Sequence, residues 1–308
     1  SENKIKWLLH IIVIISISLT IFGFIEMILP DNMFWNFLNY SQYLENKQNG
    51  TITLLNGVTH NFYTWDLGFL MRRLVSFTAD PLATAHLIFL GLAILCCYKK
   101  ILNNKCFFYK KYYLLIFVLL IGCLLGVSKG NFVYLTLLFL GVLYHKYGTK
   151  ISSKLIAIIG ITVGVIGSSV ILIHYFNATE PTAITNHING LLNGFYNATL
   201  FGNGLGVAGA ANSAFTGAQI VNAESYFGVI LTQLGYVGTI ILVILWIWLC
   251  TSKIKLYFRE RKIERLFAVV LVLGLSLDML LSESSVSIIG TGIYFILLGI
   301  DSQRQKTV

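Results

Sequence analysis

The chain reads as an all-α integral membrane protein of about eight transmembrane helices, with both termini cytoplasmic and two long loops on the outer face. Three observations predict this. Hydrophobic residues fill 56% of the 308 positions against 11% charged, and mean hydropathy is +0.76, far from the balance of a soluble domain. Apolar windows of roughly 20 residues, the length that crosses a hydrocarbon core about 30 Å thick, recur along the whole chain. The basic residues fall between those windows, crowded into alternate loops. A single polytopic domain over 1–308 accounts for all three and leaves no room for a separate soluble catalytic domain.

The windows lie at about 7–29, 82–98, 112–127, 131–145, 155–176, 225–250, 266–282 and 285–300. The first follows Lys4 and Lys6 and runs to Leu29 without a small-residue cleavage site, so it is expected to stay as a span. With the N-terminus cytoplasmic, 18 of the 22 Lys and Arg fall on that side, around 4–6, 99–111, 146–154, 253–265 and 304–306. The opposite orientation would violate the positive-inside bias at every short loop. The net charge of +9 is therefore a topology signal rather than a nucleic-acid surface, and no nucleic-acid partner is expected. Cys96, Cys97, Cys106, Cys123 and Cys250 sit in spans or basic loops, which excludes a disulfide framework in the outer loops.

Two outer loops, at about 30–81 and 177–224, are too long for connectors and are expected to cap or line a site. In the first, Phe34, Phe37, Leu38, Ser41 and Leu44 recur at helical spacing, which predicts an interfacial helix with Trp35 and Tyr40 at headgroup level. The second carries no Lys or Arg. Its Gly202-Asn203-Gly204-Leu205-Gly206, followed by Gly209, permits tight turns and close approach of backbone to a ligand.

Only Lys47, Arg72, Arg73 and Lys129 remain on the outer side. Lys47 lies in a polar stretch and is read as solvated. Arg72 and Arg73 lead into the second span; their planar donor forks match the oxygens of a diphosphate, and equally suit lipid headgroups or pairing with Asp66 or Asp80. Lys129 is pinned in the turn Ser128-Lys129-Gly130-Asn131, a fixed cation for a phosphate of either ligand or lipid. Glu224, at the start of the sixth span, is either a helix-capping acid or a general base. Glu26, Asp278 and Glu283 lie in or between spans, where a charge either serves function or pairs with a neighbouring helix. His86, His174 and His187 are too scattered for a metal pattern, and the outer loops lack a paired-aspartate motif, so no metal and no cofactor is expected.

At these residues the chain resembles the O-antigen ligase and polymerase family, the Wzy-like and WaaL-like proteins of bacterial envelope assembly. Three stretches carry the resemblance, in the family's order. Arg72 through Asp80-Pro81 is similar to its Arg, Gly/Ser-x-Phe, Asn/Asp-Pro signature. Ser128-Lys129-Gly130-Asn131 is similar to its Ser-Arg-Gly-Ala turn. Phe201 to Gly206, Glu224-Ser225-Tyr226 and Leu234-Gly235-Tyr236-Val237-Gly238 resemble its Gly-rich loop, catalytic position and Leu-Gly-x-x-Gly segment. The resemblance implies an inverting, metal-independent glycosyltransferase on the outer face of a bacterial cytoplasmic membrane, acting on polyprenyl-diphosphate-linked oligosaccharides for capsule, O-antigen or exopolysaccharide. Arg72, Arg73 and Lys129 would bind diphosphate and Glu224 would be catalytic. Lys129 stands where the family carries Arg, and Glu224 where its ligases carry His, which points to a polymerase before a ligase. Membrane lipids, a flippase and a chain-length regulator are the partners implied. A transporter of polysaccharide or lipid is the alternative from another class.

Overall fold

The computed structural model describes residues 2–47, 54–55, 57–64, 70–98, 112–148, 183–209, 225–281 and 290–303. Most of these are helical, and every apolar window within the described residues falls on a helix. The window at 155–176 lies outside them. Two helices are long and apolar enough to cross a membrane, Asn3–Ile28 with 26 residues and Tyr226–Glu260 with 35. Pro81–Cys97, Tyr112–Leu125 and Gly292–Ser302 are apolar but shorter. Only 11% of the apolar window of Tyr226–Glu260 is buried, the reverse of a core helix in a soluble protein. The chain, read above as one domain, divides into two compact units: Ser1–Leu135 with Ser287–Val308, and Thr136–Val286.

In the first unit, α1 (Glu2–Ile28) packs on α4 (Pro81–Cys97) and α5 (Tyr112–Leu125). Small residues let the backbones approach: Ser16 of α1 fills the space where a Cβ on Gly91 would stand, and Thr20 does the same at Gly122. The Ser16 hydroxyl donates to Leu87 O at 2.7 Å, closing the α1–α4 seam. Away from the seam the helices expose stripes of apolar side chains, such as Ile14, Ile21 and Ile25 on α1 and Leu114, Phe117 and Leu124 on α5. Asp80 caps α4, its carboxylate accepting from Leu82 N at 2.9 Å with Pro81 at the first helical position. Tyr112 donates to Leu95 O at 3.0 Å, so the end of α4 meets the start of α5. The opposite ends converge too, because Leu74 N, just before α4, donates to Leu125 O at the end of α5, 3.0 Å. There α6 (Lys129–Tyr147) begins, and Tyr294 of α10 (Gly292–Gln303) donates to His86 O at 2.7 Å.

Between α1 and α4 the first long loop folds into a small body of its own. It holds α2 (Met33–Phe37), α3 (Tyr40–Lys47) and two antiparallel strand pairs, β1 (Leu54–Leu55) with β2 (Val58–Thr59) and β3 (Tyr63–Thr64) with β4 (Met71–Arg72). Its core is Trp35, Val58, Phe62 and Val75, with Trp35 edge-on to Phe62 at 5.2 Å. Trp35 is 3% exposed, so the expected position at headgroup level is corrected: the indole serves this core, and Met33, Phe37 and Leu38 are the apolar residues that face outward.

The second unit holds the rest of α6, α7 (Ala183–Asn197), α8 (Tyr226–Glu260) and α9 (Ile263–Leu281). Gly194 of α7 meets Gly228 of α8 backbone to backbone. At the far end of α8, Tyr257 Oη lies 3.3 Å from His145 Nδ1, and Arg261, in a left-handed C-cap with φ +51°, stacks its guanidinium 5.0 Å from the Phe258 ring. α8 is broken at Gly235, whose φ of +69° is non-helical. The two helical hydrogen bonds lost there are replaced from the Gly-rich loop. Thr232 O and Gln233 O accept from Asn203 N and Gly204 N at 3.0 and 3.2 Å, while Tyr236 N and Val237 N donate to Thr199 O and Leu200 O, both at 3.1 Å.

Candidate functional site

Arg72 and Arg73 leave β4 at the end of the first unit where α1 and α5 finish and α4 and α6 start. Adjacent residues of an extended chain point opposite ways, and the two arginines divide accordingly. Arg72 turns inward to Glu26, forming a hydrogen-bonded ion pair in which the carboxylate side chain is fully buried and the arginine side chain is 15% exposed. Its other arm donates to Asn32 Oδ1 and to Tyr63 Oη, the latter at 3.2 Å, and its guanidinium lies 5.5 Å from the Tyr63 ring centre. Trp35 Nε1 donates to the same Glu26 oxygen at 2.5 Å. The planar fork thus meets three acceptors from three parts of the chain, a geometry that a lysine ammonium would not reproduce. Among the alternatives read from sequence was pairing with Asp66 or Asp80; for Arg72 the structure supplies Glu26, and Asp66 lies outside the described residues.

Arg73 is half-buried, and its backbone N–H donates to Phe62 O at 2.8 Å. Its charge acts on Asp80. Burial raises the Asp80 carboxyl above the ordinary carboxylate range, while the Leu82 and Ala83 amides and Arg73 oppose that rise. From Ser76 to Thr84 the backbone is held by short polar ties: Thr78 Oγ1 donates to Asp80 O at 2.8 Å, and Thr84 donates to Val75 O. Ser76 and Ala79 adopt left-handed φ values of +59° and +53°.

Lys129 is the first residue of α6 and half-buried. Ser128 caps that helix, accepting from Asn131 N at 3.4 Å, and Asn131 reaches back to Cys123 O at 3.0 Å, tying the turn to α5. Just before it, Val127 has φ +39°, a genuine outlier for a β-branched side chain. Such a conformation costs about 1–3 kcal/mol and persists only where the surroundings over-determine it. The Leu74–Leu125 hydrogen bond thus anchors Arg73 and Lys129 at one end of one unit, each next to a strained backbone segment.

Glu224 lies outside the described residues, as do Glu283 and His174. Ser225 is buried in extended geometry as the N-cap of α8. Gly202, expected to admit a ligand, makes its close approach to α8 instead: a Cβ there would stand 2.1 Å from Gln233 O. Asp278 is buried within α9, and His86 is buried edge-on to Tyr134 and Tyr294. Sequence reading missed Asn32 and Tyr63 as partners of Arg72; the signal that was present is Glu26, a carboxylate in an apolar helix that needed some cation. No family model, no characterised protein and no solved structure matches the chain.

Proposed function

We propose that this chain is a multi-pass protein of a bacterial cytoplasmic membrane that joins polyprenyl-diphosphate-linked oligosaccharide repeat units on the outer face. One observation carries the reading: the stretches that resemble the polymerase family touch one another in pairs. The Arg72–Pro81 stretch is tied through Leu74 to the end of α5, next to Ser128–Asn131. The Gly202 stretch is interleaved with Leu234–Gly238.

The helix ends support the topology. In the first unit, the end of α1, the start of α4, the end of α5 and the start of α6 gather at one end, as alternating crossings require. In the second, α6 ends beside Tyr257 whereas α7 packs at Gly228, near the opposite end of α8, an arrangement that suits the span expected at 155–176, which lies outside the described residues.

In the reaction, an acceptor hydroxyl attacks the anomeric carbon of the donor chain as the bond to diphosphate breaks. Glu224 takes the hydroxyl proton, and polyprenyl diphosphate leaves with the electron pair. Its developing charge falls to Arg73 and Lys129, since Arg72 is committed to Glu26 and positions its neighbour. The test is a polymer ladder from membranes supplied with lipid-linked repeat units, in wild type and in Arg73→Ala, Lys129→Ala and Glu224→Gln at equal abundance. Glu224→Gln loses about 10²–10⁴ in rate if it is the base, the two cation variants lose most polymer, and Lys129→Arg retains it. Full ladders from all three substitutions refute the polymerase reading.

The break at Gly235 favours a second reading, a transporter, because interrupted spans build substrate sites in secondary transporters. Movement of labelled lipid-linked glycan across vesicles with no new glycosidic bond would establish it.

A further inference from the structure

The break at Gly235 divides α8 into two parts with different surroundings. Before it, Gly228, Val229, Ile230, Leu231 and Thr232 are buried. After it, exposed apolar side chains begin at once with Tyr236 and Val237 and continue through Ile240 and Ile244 to Trp248. From Tyr236 to Ser252, just before the basic run that starts at Lys253, the helix is about 25 Å long at 1.5 Å per residue, close to a hydrocarbon core of about 30 Å. The backbone bonds at the break fix Thr199 and Leu200 beside Tyr236 and Val237, at the start of this belt, and Phe201 follows directly. Around them stand Tyr196, 83% exposed, Phe201, 77%, and Leu205, 81%, in a loop with neither Lys nor Arg. Tyr236 Oη donates to Phe195 O at 3.0 Å, which joins the end of α7 to the same level.

We infer that this junction marks the outer boundary of the bilayer and that Tyr196, Phe201 and Leu205 insert into the outer leaflet, with lipid acyl chains and the glycerol region as their partner. The inference rests on the membrane reading above. Lipid is the occupant because the backbone bonds of residues 199–204 hold these exposed side chains at the level where the exposed belt of α8 begins, and because a loop without cations enters a bilayer through apolar area rather than through headgroup charge. Broken backbone at membrane depth is tolerated only where protein re-satisfies it, and the four bonds from residues 199–204 do so here. The spanning part of α8 is then about 236–252, and its first ten residues, nearly three turns, rise above the bilayer, lifting Ser225 about 15 Å from the boundary.

The full chain is reconstituted in vesicles of phosphatidylethanolamine and phosphatidylglycerol, with a genetically encoded nitroxide side chain at Phe201, Leu205 or Ile244, and at Asn3 as aqueous reference. Collision with oxygen, which partitions into lipid, is compared with collision with a water-soluble nickel chelate. The expected result is oxygen in excess over nickel at Phe201, Leu205 and Ile244, and nickel in excess at Asn3. If Ile244 meets oxygen while Phe201 and Leu205 meet nickel, or are shielded from both by protein, the insertion is wrong and the membrane reading stands. If Ile244 itself meets nickel, the membrane reading fails and takes the insertion with it.

Discussion

Glu26 and Arg72 are separated by most of the first long loop and meet at the end of α1, where a lone carboxylate would be costly to bury. Removing one partner of a buried pair leaves the other charge uncompensated, which costs more than the pair contributes. Glu26→Gln should therefore lower stability by about 3 kcal/mol in detergent. The double variant Glu26→Gln/Arg72→Gln should recover part of that, because the two losses are not additive for contacting groups. Thermal unfolding of the three variants measures both; a single-variant cost near zero would remove the positioning role given to Arg72. In the second unit Glu260 gives a further case. The hydrogen bond from Arg265, 3.0 Å, holds its carboxyl below the ordinary range, with the Arg265 and Lys262 charges adding to the effect. A lowered value contributes stability that is present above the unfolded Glu value of about 4.3 and lost as pH falls through the folded value. Glu260→Gln should therefore lower stability at pH 7, and the difference from wild type should shrink to nothing in acid. Melting curves across pH decide it.

The glycines of the α8 junction fall into two kinds, and the contrast between them is testable. Gly235 has φ +69°, and a Cβ there would stand 2.2 Å from Gly202 N, so alanine meets both an unfavourable backbone and another main chain. Gly204 has φ +99° with nothing within 4 Å of its Cβ position. Gly204→Ala should cost only the left-handed penalty of about 1–2 kcal/mol. Gly235→Ala should cost more and release the loop at 199–204, seen as lost amide-exchange protection at Asn203 and Gly204. Equal effects from the two would mean that the interleaving contributes nothing. Both glycines stand in stretches that the sequence singles out, but as separate features. That the Gly202 main chain fills the missing Cβ space of Gly235 depends on two backbones meeting about 30 residues apart, which no local pattern records. Trp35 teaches the same lesson in reverse. The helical spacing of its neighbours Phe34, Phe37 and Leu38 was visible, but the choice between lipid and protein for its ring depended on Phe62, Val58 and Glu26.

For the whole chain, an eight-span arrangement with both termini inside predicts how single cysteines will label. Cysteines replacing Asn49 and Asn197 should react with a reagent that does not cross the membrane, and one replacing Lys105 should not. The reverse pattern would overturn the topology and every role assigned by side. What the sequence determined by itself is the mostly helical character and the long apolar helices Asn3–Ile28 and Tyr226–Glu260, because apolar length is a local property; α7, inside a stretch read as loop, was not among them. The sequence also singled out Arg72, Arg73, Lys129 and Glu26 as charges in need of partners. Which of them pair was left to the tertiary structure. An ion pair is decided by where a loop returns to the helix it left, and a bound carboxylate takes one arginine inward and leaves its neighbour to other work. The break in α8 was likewise settled only by folding, since a glycine in an apolar helix stays helical unless another backbone arrives to accept and donate the bonds it gives up.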